Sequence, residues 1–137
     1  MYGKIVQTVV RGREIAVSVS YYDSQICHYK IFQKKHYYSE ARKGDIIFDI
    51  AIESYLPEYD TPSFIVFVEC KKYKEKVPIS DLEEFHSKVL QIAPNANKAV
   101  LVTNSSFSEQ GMNYAQAKRI GLVRVFEDEL SSQVQRF

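Results

Sequence analysis

The hydrophobic pattern is densest over residues 46–73, IIFDIAIESYLPEYDTPSFIVFVECKKY, where two apolar runs flank the polar linker PEYDTPS. Runs rich in Ile, Val and Phe and bounded by Pro, Asp, Thr and Ser predict a β-hairpin. Strand side chains alternate between faces. Ile46, Phe48, Ile50 and Ile52 are therefore expected on one face of the first strand, and Ile47, Asp49, Ala51 and Glu53 on the other. In the second strand Val66, Val68 and Cys70 share a face opposite Ile65, Phe67, Glu69 and Lys71. Folding the hairpin symmetrically about Tyr59 sets Asp49 directly across from Glu69. Opposed residues of an antiparallel pair have Cβ atoms about 4.5–5.5 Å apart. Two carboxylates at that distance repel unless a cation lies between them, and Lys71 follows two residues after Glu69.

The remaining pattern is sparser. YGKIVQTVV at 2–10 is expected to begin a helix that Gly12 ends, although its β-branched residues oppose it. IAVSVSY alternates like a strand. CHYKIFQKKHYY at 27–38 predicts a first core strand, followed by the turn SEARKGD with Gly44 free for positive φ. After the hairpin, Ser80-x-x-Glu83 matches a capping box before Leu82, Phe85, Val89 and Ile92 at helical spacing. That helix should stop near Pro94. KAVLVT at 98–103 reads as a buried strand. Ser106-x-x-Glu109 is a second capping box, Tyr114, Ala115, Ala117 and Ile120 form a helix face, and Gly121 is its expected stop. LVRVF at 122–126 is a final strand, and the tail from Glu127 gives no pattern.

The predicted class is α/β: a mixed β-sheet with helices on both faces, its strand–helix–strand crossover right-handed. The 137 residues suit one domain, 1–137, with a core of about 28–126. No stretch reaches the ~20 apolar residues of a membrane span, and no signal-peptide core precedes the domain, so a cytoplasmic protein is expected. Cys27 and Cys70 do not form a disulfide framework; Cys70 is expected as a small buried side chain. The net charge is +1, but Lys30, Lys34, Lys35, Arg42 and Lys43 cluster against Glu40 alone. With the tyrosines of KKHYYSEARK they suit contact with a nucleic-acid backbone. A solvated turn is the competing reading. His28, His36 and His86 lack zinc-ligand spacing. Asn104-Ser105-Ser106 could hold an anion, although helix capping explains it better.

An isolated E-x-K carries little information, and a solvated strand face competes with any functional reading of Glu69 and Lys71. The register with Asp49 and the helix and strand that follow favour function. Two carboxylates hold a hard divalent cation such as Mg²⁺. Such an ion activates water and stabilises charge on phosphorus, and an adjacent lysine can orient that water. Asp45 is a rival for the role of Asp49, but it precedes the strand. Glu53 is expected to be solvated at the strand's outer end.

GDIIFDIAIE, VECKKYKEKVPISDLEEF and AVLVTNSSFSEQGMNYAQAKRIGLVRVF together resemble the PD-(D/E)xK nuclease superfamily. More narrowly, they resemble the Mrr-type restriction endonuclease catalytic domain. The resemblance implies an α-β-β-β-α-β core and a metal-dependent endodeoxyribonuclease. It implies Asp49 and Glu69 as metal ligands, the backbone carbonyl of Cys70 completing the site, and Lys71 as catalytic. Mg²⁺ is the implied cofactor, with Mn²⁺ as substitute. DNA is the implied partner, met by Lys34, Lys35, Arg42 and Lys43. Phe48 replaces the proline that often precedes the first acid, and only Gln7 stands where many members carry a first-helix glutamate. A non-cutting DNA-binding module and a protein-interaction domain are the alternatives. Cutting both strands calls for a dimer, and fusion to other domains stays open.

Overall fold

A computed structural model describes the backbone of residues 4–11, 14–20, 26–127 and 132–136, and side chains over 28–126. The strands are β1 (Lys4–Arg11), β2 (Glu14–Ser20), β3 (Ile26–Ser39), β4 (Gly44–Tyr55), β5 (Phe64–Lys71), β6 (Asn97–Thr103), β7 (Gly121–Glu127) and β8 (Ser132–Arg136). Two helices, α1 (Ile79–Ile92) and α2 (Glu109–Lys118), cross from β5 to β6 and from β6 to β7. Among the described residues the eight strands form one sheet in chain order. β1 to β5 are antiparallel neighbours, β5–β6–β7 are parallel, and β8 returns antiparallel. No helix among the described residues is long and apolar enough to cross a membrane.

The expected first helix is instead β1. Ile5, Thr8, Val9 and Val10 lose side-chain freedom in a helix, and β2 offers them a pairing partner. α1 and α2 do not flank the sheet on opposite sides. They pack against each other over one core, with His86 of α1 edge-on to Tyr114 of α2 at 5.9 Å. A Cβ at Gly111 would stand 2.9 Å from the capping Ser108 Oγ and 3.0 Å from Leu82 Cδ1, so glycine eases the close approach of α2 to α1.

Leu82, Phe85 and Val89 of α1 are buried against Ile46, Phe48, Phe67 and Leu101 of the sheet. The centre is aromatic: Phe48 lies 4.4 Å from Phe67 and 6.4 Å from Phe85, centroid to centroid. Each such pair adds about 0.5–1.5 kcal/mol beyond burial itself. Both capping boxes shift. α1 starts at Ile79 after Pro78 and has no side-chain cap, while α2 is capped by Ser108, whose Oγ accepts from Gly111 N–H at 3.0 Å. Left-handed residues also differ from expectation. Lys43 (φ 51°), not Gly44, turns β3 into β4, and Arg119 (φ 58°) ends α2 before Gly121.

β4 does not keep a single alternation. Ile46 and Phe48 are buried, but so are Ala51, Glu53 and Tyr55, whereas Ile47 is half exposed. The buried phase therefore changes between 48 and 51. β3 changes with it: Gln33 pairs Ile50 and Lys35 pairs Phe48, and the intervening Lys34 and Asp49 drop out of the ladder. Lys34 has a left-handed φ of 51°. The Lys35 ammonium lies over both the Phe32 and Tyr37 rings, at 4.1 and 5.7 Å, as expected where the two halves of β3 meet out of phase.

Candidate active site

The site forms where β4 and β5 separate. Their pairing runs from Ser54↔Phe64 to Ile50↔Val68 and stops. The next pair in that register is Asp49 with Glu69, the opposition that symmetry about Tyr59 requires. β5 continues along β6, with Glu69, Cys70 and Lys71 beside Leu101, Val102 and Thr103. The Cys70 N–H therefore has no β4 carbonyl opposite it, and it donates to Asp49 Oδ2 at 2.8 Å. Lys34 Nζ donates to Asp49 Oδ1 at 2.5 Å. Both oxygens of Asp49 are thus engaged, one by backbone and one by an exposed amine.

The carboxyls of Asp49 and Glu69 are close enough to share a hydrogen bond. Burial pushes the Glu69 carboxyl up to about 7, helped by the hydrogen bond to Asp49 and its negative charge, while Lys71 and Lys88 pull it back. Burial also pushes Asp49 upward. The hydrogen bonds from Glu69, Lys34 and the Cys70 amide, with the Lys34 charge, outweigh it and leave Asp49 below the ordinary carboxylate range. The Lys34 amine therefore compensates charge where two bare carboxylates would repel.

Lys71 is half-buried on the face of Glu69, and its charge acts on that carboxylate. Lys88 of α1 approaches from the helix layer while paired to Glu84 at 3.1 Å. Cys70 is exposed, not buried, because its side chain points away from the helices. Partial desolvation of its thiol, with the charges of Asp49 and Glu69, raises its pKa, which disfavours a nucleophilic thiolate. Asp45 lies at the far start of β4, roughly 13 Å from Asp49 along a strand. It faces His36 at 3.4 Å and does not reach the pair.

Glu53 is not solvated. It is 5% exposed and accepts hydrogen bonds from Tyr37 Oη at 2.6 Å and from Tyr55 Oη. The phase change in β4 turns it inward. The four expected DNA contacts are divided: Lys34 at Asp49, Lys35 over two rings, Arg42 near Gln91 of α1 at 3.4 Å, and Lys43 at the β3–β4 turn. Asn104 and Ser105 brace the loop after β5, accepting from Tyr73 N–H at 2.8 Å and donating to the Glu75 carbonyl at 2.7 Å. They do not cap α2. Gln7 lies in β1, whose side chains fall outside the described residues, as does that of Cys27.

A family model of restriction endonucleases, the Mrr-type catalytic domain, matches residues 20–130. The chain belongs to this family. No curated protein matches it. Among solved structures, the family fold seen here is similar to that of a protein of unknown function, AF1548, at 16% identity and a TM-score of 0.55. That likeness covers 69% of this chain and 48% of AF1548, so the chain spans about half the length of that relative. At this identity it bears on the fold alone: a restriction-endonuclease-like α/β sheet with crossover helices.

Membership in the restriction endonuclease family gives the acid pair a chemical context. The donor set suits a hard divalent cation, since two carboxylates converge and hard cations take oxygen ligands. Among the described residues no three His, Cys, Asp or Glu side chains gather into a group that could hold a metal ion. Sequence reasoning missed Lys34 as the neighbour of the acid pair. Centring the β3–β4 turn on Arg42 places Lys35 opposite Asp49, but Ser39 pairs Gly44 and the register brings Lys34 there. It also missed Lys88, whose signal was its spacing of four from Glu84 on α1.

Proposed function

We propose that this domain, taken as one unit over 1–137, is a metal-dependent DNA endonuclease that hydrolyses phosphodiester bonds. The carrying observation is the open fork of β4 and β5, where Asp49 and Glu69 meet beside Lys71. Asp49, Glu69 and the carbonyl of Cys70 would hold Mg²⁺, or Mn²⁺ in its place. When bound, that ion supplies an activated water and charge stabilisation at phosphorus. Lys71 orients the attacking water and offsets the negative charge that builds on the phosphate. The Cys70 amide fixes one oxygen of Asp49, so the ligand's direction is set by backbone. Lys35, Arg42 and Lys43, with Lys34 once free, contact the DNA backbone without reading bases. Cleavage of both strands would use a homodimer.

The test is plasmid DNA incubated with the protein and Mg²⁺ or Mn²⁺, with EDTA as control. Metal-dependent nicking or linearisation is expected. DNA binding with no cleavage in either metal would favour a non-cutting DNA-binding module of the same fold. Replacing Lys34, Lys35, Arg42 and Lys43 together by Ala should weaken binding to all sequences alike and flatten its salt dependence. Unchanged affinity would remove these residues from the DNA path.

A further inference from the structure

We infer that Lys34 is the resident counter-ion of the acid pair: its ammonium group holds the position at Asp49 Oδ1 that a divalent cation takes, and the cation displaces it. This rests on the nuclease reading above and adds a residue to it. Asp49 has two oxygens, and both are occupied. Oδ2 is held by the Cys70 N–H at 2.8 Å, a backbone donor that moves only with β5. Oδ1 is held by Lys34 Nζ at 2.5 Å, a flexible amine whose side chain is 59% exposed. A cation reaching Asp49 therefore has one oxygen to gain, and the group on it is the one that can leave.

The backbone is arranged to deliver that amine. Lys34 has a φ of 51°, which L-residues avoid, at the point where β3 and β4 both change face and leave the ladder. The other nearby amines are differently placed. Lys88 is tied to Glu84 at 3.1 Å, and Lys71 lies beside Glu69 on its own strand. Exchange of one cation for another leaves the carboxylates compensated in both states. It also makes the apparent metal affinity lower than the bare acid pair would give, because the metal must compete with Lys34.

The test is Mn²⁺ titration by calorimetry on the full chain. Lys34→Asn and Lys34→Gly are the variants, since both residues tolerate the left-handed conformation. Each should bind Mn²⁺ tighter, by roughly fivefold, and should melt lower than wild type in EDTA. Lys30→Ala, which removes a charge from the same strand away from the acids, should leave Mn²⁺ affinity unchanged. A role limited to holding the strand would make the Lys34 variants bind more weakly. Equal or weaker affinity in both variants, with wild type binding normally, overturns the inference and leaves the nuclease reading standing. If neither wild type nor variants take up Mn²⁺, the metal reading fails and this inference with it.

Discussion

Asp49 and Glu53 lie on one strand, four residues apart, and both carboxylates meet other side chains across the sheet. Their fates differ. Glu53 is sealed: two tyrosine hydroxyls donate to it and water barely reaches it. Burial, with the hydrogen bond and charge of Glu53, pushes the Tyr37 phenol well above its ordinary pKa. Asp49 lies at a fork, opposed by a second acid and held by an exposed amine. Neutral donors that fully satisfy a buried carboxylate make a structural element. A carboxylate set against its own kind, with exchangeable compensation, is suited to bind something else. Residue type alone does not separate the two; the partners do.

The largest effects should come from breaking the fork. Asp49→Asn and Glu69→Gln should each weaken Mn²⁺ binding and lower cleavage at least about 100-fold. Lys71→Met should keep metal and DNA binding while kcat falls by a similar factor. Calorimetry beside a nicking assay reads both. Wild-type cleavage by Lys71→Met would refute its catalytic role.

Breaking the sealed acid should act on stability instead. Glu53→Ala strips two buried hydroxyls of their acceptor and should cost about 3 kcal/mol, read by urea melts. Mn²⁺ affinity of the folded fraction should not change. Loss of metal binding there would erase the contrast between the two acids.

The pH dependence of metal-free stability sharpens the same contrast. The folded pKa of Glu69, about 7, lies above its unfolded value of 4.5. The native state thus binds this proton more tightly than the unfolded chain. The contribution is full below pH 4.5 and is lost as pH rises through 7. Melting temperature in EDTA should fall across that window, and Glu69→Gln should flatten the fall. The smallest effect is expected from Tyr55→Phe, which removes one of the two donors to Glu53. It should cost about 1 kcal/mol and leave metal binding and cleavage intact.

Much of this arrangement was legible in the residues. The β4–β5 register followed from the turn residues around Tyr59, and with it the meeting of Asp49 and Glu69. α1 followed from Leu82, Phe85 and Val89. The inward turn of Glu53 did not, because strict alternation carries one phase through a strand, and only the unpaired Lys34–Asp49 step resets it. The N-terminal strand was misread because YGKIVQTVV has no polar alternation to distinguish strand from helix, so β2 decides the outcome through a long-range pairing. The position of Lys34 depended on one residue of turn geometry, and a shift of one moves a different lysine to the acid.

The separation of β4 from β5 also divides the site between two hydrogen-bonded units. Asp49 and Lys34 travel with the β3–β4 ribbon, while Glu69, Cys70 and Lys71 travel with the parallel ladder to β6. At this point the Cys70 amide donates across the gap to Asp49 Oδ2. That amide proton is consequently a reporter of the joint. Its exchange with deuterium measures how often the two halves part.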